Sequence, residues 1–123
     1  MSQIDRKDIN EDWAHTGVAK AGDFVFTSYC VGPIGESIEN QIAGAFDMLE
    51  ERLNMFGLTI DSVVKIEALF RDIWDIPVLE KILKERFKEK NYPVRKSIQT
   101  EFAHKGGSNG MLFQLDAIAY AGK

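Results

Sequence analysis

The chain has 123 residues, 45% of them hydrophobic, and a formal net charge of −4. That length fits one domain around a single core, and the acidic balance offers no basic stripe for a polynucleotide, which argues against RNA cleavage. No apolar run reaches the roughly 18 residues of a membrane span; the first residues lack a signal-peptide stretch and Cys30 has no intrachain partner, so a reducing cytoplasm is the expected setting.

Residues 1–12 are polar and read as a loosely ordered N-terminus with at most a short edge strand. Ala14 to Ala21 carries a weak strand pattern that ends at the turn Ala21-Gly22-Asp23. Phe24 to Val31 is rich in aromatic and β-branched residues and predicts a strand, followed by a Gly32-Pro33-Ile34-Gly35 loop. Ser37 is placed to cap a helix with Glu39 in its first turn. Behind it Ile38, Ile42, Phe46, Leu49, Leu53 and Phe56 recur at helical spacing, and Gly57 fits the position past the helix end. Ile60 to Asp72 predicts a strand with Val64, Ile66, Ala68 and Phe70 on its apolar side. Lys65, Glu67 and Arg71 face the other way, and Leu69 breaks the pattern. Asp75 caps a second helix with Pro77 in its first turn and Leu79, Ile82, Leu83 and Phe87 as its buried stripe. After Tyr92-Pro93 an alternating strand runs from Val94 to Phe102. Val94, Ile98 and Phe102 share one side, and Arg95, Ser97, Gln99 and Glu101 share the other. Lys105 to Gly110 is a turn-rich hairpin loop without the Gly-Lys-Ser/Thr of a phosphate loop, and Met111 to Tyr120 is the closing strand.

The order β-β-α-β-α-β-β, with two helices on one face of one sheet, is an α+β domain covering 1–123. Two helices shield one face only. The other would carry Lys65, Glu67, Arg95, Gln99, Glu101, Gln114 and Asp116 beside Leu112, Ile118 and Tyr120. Charges at that density do not belong in a monomer's core, and so many large apolar residues do not suit a wet surface. A face packed on other copies of the chain fits both, with an open wet sheet as the alternative.

Arg95 stands at the mouth of its strand, two residues past Pro93, where its planar fork of donors can meet a carboxylate. A structural ion pair with Glu101 or Asp116 is the competing reading. Ser28 is a second strand-borne polar group, or an inert strand serine. His15 is a candidate proton shuttle by residue type, against a plain surface or interface role. Trp13 and Tyr29 can wall a cleft or pack at a subunit contact. His104 reads as solvent-exposed, and Cys30 as a small buried apolar residue. Two histidines and one cysteine, widely separated, give no metal-ligand spacing.

Several segments together resemble the Rid family, the reactive intermediate deaminases also called the YjgF family, over Ala14 to Tyr120. They are Gly22-Asp-Phe-Val-Phe-Thr-Ser28; Gln41 with Leu49, Leu53 and Gly57; Val63-Val64-Lys65 with Phe70-Arg71-Asp72; Pro93-Val94-Arg95; and Leu115-Asp116-Ala117-Ile118-Ala119. The resemblance implies a chorismate-mutase-like fold and a homotrimer with clefts between subunits. It also implies hydrolysis of enamines and imines such as 2-aminoacrylate to 2-keto acids and ammonia, without metal or organic cofactor. On it, Arg95 grips the substrate carboxylate, Ser28 is the pocket serine, and the Ser97 backbone carbonyl faces the substrate nitrogen. The chain departs from the family pattern at four places. Gln114 replaces the glutamate that positions the attacking water, His15 a pocket tyrosine, Tyr29 a glycine and Glu80 an asparagine.

Imine hydrolysis needs a held carboxylate, a placed water and one managed proton. Gln114 can hold a water but cannot take its proton, so the expected turnover is weak or altered, with His15, Glu67 or Asp116 as substitute groups. The alternative is a non-catalytic trimer that binds a keto acid and regulates a partner. Neither reading calls for nucleic acid or a membrane.

Overall fold

The structure is a computed structural model and describes residues 3–102 and 110–122. Six strands build one sheet: β1 (Ile4–Asn10), β2 (His15–Ala21), β3 (Phe24–Thr27), β4 (Val63–Phe70), β5 (Val94–Gln99) and β6 (Phe113–Tyr120). Their spatial order is β1-β2-β3-β6-β4-β5. Helices α1 (Ile38–Asn54) and α2 (Ile76–Arg86) lie together on one face, as the helical spacing predicts. α2 carries the chain across from β4 to β5, which is why that pair alone runs parallel.

Local chemistry sets these boundaries. The Ser37 hydroxyl accepts the Asn40 N–H at 3.2 Å and opens α1. Gly57, at φ +72°, turns the chain away so that the Leu58 N–H donates back to the Leu53 carbonyl at 3.0 Å. Asp75 is the first flanking residue of α2, but the bonding carboxylate there is Asp72, which accepts the Trp74 N–H at 3.0 Å and caps the 3-10 turn Ile73–Asp75. Phe46, Leu49 and Leu53 of α1 and Leu79 of α2 pack onto Val25, Ile66, Phe70, Phe113 and Leu115 of the sheet, all essentially fully buried. Each such side chain contributes about 1.5–3 kcal/mol of apolar transfer.

Five expectations change. The strand expected from Phe24 to Val31 ends at Thr27, with an isolated bridge from Cys30 to Leu115 beyond it. Ile4–Asn10 is a seven-residue edge strand rather than a trace of one, exposed at every position and paired antiparallel to β2. Val64 points outward at 45% exposure, because β4 carries a bulge between Val63 and Lys65 that sends Val63 inward in its place. β5 ends at Gln99, so Phe102 reaches the interior from outside the strand. The alternation within β5 holds, but its faces are reversed. Arg95 and Gln99 pair in register with Ile66 and Phe70 and so lie on the helix side, while Val94, Lys96 and Ile98 pair with Lys65, Glu67 and Leu69 on the open side. Strand alternation gives parity, not direction; the neighbouring strand supplies the direction. His104 and all of the hairpin loop except Gly110 lie outside the described residues.

Candidate functional site

Pro93 immediately precedes β5, which forms an edge of the sheet, and register with Ile66 turns Arg95 toward α2. There it lines a cleft of about 220 Å³ with Glu80, Leu83, Lys84, Tyr92 and Pro93. Glu80 and Lys84 stand one turn apart on α2, and the Tyr92 ring leans on Phe87 at 6.4 Å between centroids. Arg95 Nη2 lies 3.5 Å from Glu80 Oε2, with the two side chains 28% and 49% exposed. Its ion partner is therefore Glu80, not Glu101 or Asp116. A tight charge-assisted bond measures about 2.7–2.9 Å, and half-exposed pairs contribute about 0–1 kcal/mol. An incoming carboxylate can displace this contact.

A second cluster forms where the chain leaves β3. From the Phe26–Ile118 pair to the Cys30–Leu115 bridge, this strand uses four steps against three on β6. Ser28 and Tyr29 occupy that interruption, and their carbonyls are lost to the ladder. Arg52 of α1 supplies the missing donors: Nη1 reaches the Ser28 carbonyl at 3.3 Å and the Tyr29 carbonyl at 2.6 Å. The Ser28 N–H donates to the Gly17 carbonyl at 2.8 Å. Arg52 is only 7% exposed, and its Nε pairs with Asp8 Oδ2 at 3.0 Å. Asp8 reaches inward from β1 at φ +57°, a left-handed conformation that costs a non-glycine residue about 1–2 kcal/mol. Gly17 lies opposite, and a Cβ there would overlap the Asp8 carboxylate.

Asp8 and Arg52 line an open cleft of about 130 Å³ with Asn10, His15, Tyr29 and Met48. The Tyr29 hydroxyl lies 3.4 Å from His15 Nε2, and His15 Nδ1 is buried with no hydrogen-bond partner among the described residues. Next to it, Trp13, Tyr29, Ile34 and Met111 wall a more apolar cleft of about 230 Å³. Cys30 is fully buried; burial pushes its thiol up, against the opposing pull of Arg52. It packs in the core beside Arg52, whose Nη1 lies 3.5 Å from its Sγ.

The expected site residues thus fall in three places. Arg95 and Ser97 belong to β5, with Ser97 in register with Ala68 on the helix side. His15, Ser28 and Tyr29 lie toward the opposite edge, and β3, β6 and β4 separate the strand of His15 from that of Arg95. Four inter-strand steps span about 19 Å. Gln114 pairs with Leu69 and so faces the open side, its Nε2 3.2 Å from Met111 Sδ. One chain alone does not bring Arg95 to Gln114 or to His15.

The open face mixes charge with apolar bulk. Phe24, Phe26 and Tyr120 are each more than 40% exposed there. Glu67 and Asp116 stand directly opposite one another, with Lys96 Nζ 3.8 Å from Glu67 Oε2. Burial, then Glu67, raises the Asp116 carboxyl above its ordinary value, with Lys65 opposing. Among the described residues no three His, Cys, Asp or Glu side chains converge as a metal site, and no helix is long and apolar enough to cross a membrane.

Sequence reasoning missed Arg52 and Asp8, and took Gln41 only as part of the family pattern; it is buried, and its amide donates to the Glu36 and Gly110 carbonyls and accepts the Leu112 N–H. A signal existed. Arg52 and Gln41 each interrupt or flank the apolar arc of α1, three residues after Leu49 and one before Ile42.

Residues 8–121 match the family described as Endoribonuclease L-PSP. A YjgF family protein of Streptococcus pyogenes is 58% identical, with 100% of each chain covered and a TM-score of 0.92. A YjgF family protein of Neisseria meningitidis shares the fold at 16% identity, with 98% of this chain and 96% of that one covered and a TM-score of 0.85. RidA of an Antarctic Psychrobacter species does so at 22% identity, with 94% and 99% covered and a TM-score of 0.78. No curated protein matches the chain.

Proposed function

Because the chain belongs to the endoribonuclease L-PSP family, which takes in the YjgF and Rid proteins, we propose that it binds small 2-imino and 2-keto acids and hydrolyses the imines to keto acids and ammonia. The observation that carries this reading is Arg95, held at the sheet edge in a cleft with Lys84 and Tyr92 and only loosely engaged by Glu80. A charge-assisted arginine contact of about 1.5–3 kcal/mol is enough to orient a small acid. In the reaction, water adds to the imine carbon, both of its protons pass in turn to nitrogen, and the C–N bond breaks to leave the ketone and ammonia. The opposite-edge cluster of Ser28, Tyr29 and His15 completes the cleft from a second copy, as expected of a homotrimer with clefts between its subunits. Gln114 orients the water there, and turnover is slow because an amide cannot accept the proton. The proposed setting is the cytoplasm.

A second reading, a keto-acid-binding trimer without turnover, is favoured by that same Gln114. Ammonia release from freshly generated 2-aminoacrylate, measured beside 2-ketobutyrate affinity, separates the two. Release above buffer that disappears in Arg95→Ala supports the hydrolase. Binding that Arg95→Ala abolishes, with no release by the wild type, leaves the binding protein. Wild-type behaviour in Arg95→Ala refutes both.

A further inference from the structure

The geometry points to Arg52 as a positioning residue, through which the edge strand β1 sets the Ser28–Tyr29 wall of the proposed cleft. This rests on reading Ser28 and Tyr29 as that wall. A cation on the inner arc of α1 is unfavourable unless its donors are matched. Here four acceptors surround it: Asp8 Oδ2 at 3.0 Å, the Ser28 and Tyr29 carbonyls at 3.3 and 2.6 Å, and Cys30 Sγ at 3.5 Å. Nη1 bonds both carbonyls while Nε of the same rigid plane holds Asp8, so the guanidinium fixes the carboxylate and the two peptides relative to one another, a geometry that a lysine point charge does not reproduce.

Three departures from ordinary sequence rules serve this one contact. A charged residue sits among Leu49 and Leu53, an aspartate adopts φ +57° inside a strand, and a glycine opposite it leaves room for the carboxylate. A methionine would fill the same space at Arg52 with none of these adjustments. β1 is exposed along its whole length and is held on the sheet by its antiparallel pairing with β2, which carries Asp8 to Arg52. Arg52 also shares the open cleft with His15 and Tyr29. Any shift of the wall therefore alters that cleft.

The test uses the full chain, 2-ketobutyrate as the probe, and carbonyl carbon resonances as the structural readout. Arg52→Lys and Asp8→Asn are expected to move the Ser28 and Tyr29 carbonyl resonances while those of β4 and β6 stay. Arg52→Lys is expected to weaken 2-ketobutyrate roughly tenfold, the order that follows from a small misplacement of positioning groups. Added guanidinium ion is expected to restore affinity in Arg52→Ala. Unmoved Ser28 and Tyr29 resonances, or moved resonances with unchanged affinity, overturn the inference. Should Arg52→Lys not fold, Asp8→Asn, a change at a half-exposed side chain, decides on the same criteria. Absence of 2-ketobutyrate binding in the wild type refutes the cleft reading instead, and the carbonyl shifts then decide the coupling by themselves.

Discussion

Glu80→Gln is expected to tighten the binding of a 2-keto acid monoanion. A carboxylate seated on Arg95 would lie about 5 Å from Glu80, given the 3.5 Å separation of the ion pair and an ordinary hydrogen bond to the same guanidinium at a wide angle to it. At that distance like unit charges repel by roughly 0.8 kcal/mol at the dielectric of water and 3.3 kcal/mol at an effective value of about 20. Glu80 is half exposed, so the lower end applies, and the existing pair adds about 0–1 kcal/mol that the ligand must displace. A net gain of about 1 kcal/mol is roughly fivefold in Kd. Calorimetric titration with 2-ketobutyrate at low and high salt reads it, and the difference from wild type is expected to narrow as salt screens the repulsion. Equal or weaker binding by the variant at low salt would show that the anion does not sit on Arg95.

Three more outcomes are expected. Gln114→Glu supplies a proton acceptor and is expected to raise ammonia release from 2-aminoacrylate by about 10²-fold; no change would remove Gln114 from the reaction. Asp116→Asn bears on the pH dependence of folding. The carboxyl is raised above 3.8 mainly by burial and then by Glu67, so its contribution is full below 3.8 and is lost as pH rises through the raised value. Relief of the opposed charges, about 0.2–1 kcal/mol, is expected to raise Tm by roughly 1–5 °C at pH 7. That gain is expected to vanish at pH 3, and an equal gain at both pH values would refute the assignment. Ser37→Ala removes the α1 cap bond and is expected to cost about 1 kcal/mol in denaturant unfolding; an unchanged midpoint would mean the cap contributes nothing.

The helices were legible because their signals are local: the Ser37 hydroxyl, the Gly57 turn and the apolar spacing between them act within one segment. The faces of β5 were not, because Val94 and Arg95 alternate equally well in either orientation and only pairing with β4 chooses between them. The bulge at Val64 was hidden for a related reason. Val63 and Val64 are chemically alike, so hydropathy does not say which one enters the core. Arg95 stands out as a candidate anion seat from its residue type and the proline two residues before it, yet its neighbour Glu80 comes from another element and is visible only in three dimensions. Arg52 was overlooked because a lone arginine on an apolar stripe reads as a side chain that reaches solvent, and its acceptors come from two distant segments.

The spread of Arg95 and His15 to opposite flanks of one sheet makes copy number a control on the proposed chemistry. Dilution that parts the molecules would silence them all without unfolding any. Two differently crippled variants, one lacking the guanidinium and one lacking the histidine wall, could between them rebuild an intact catalytic junction when mixed.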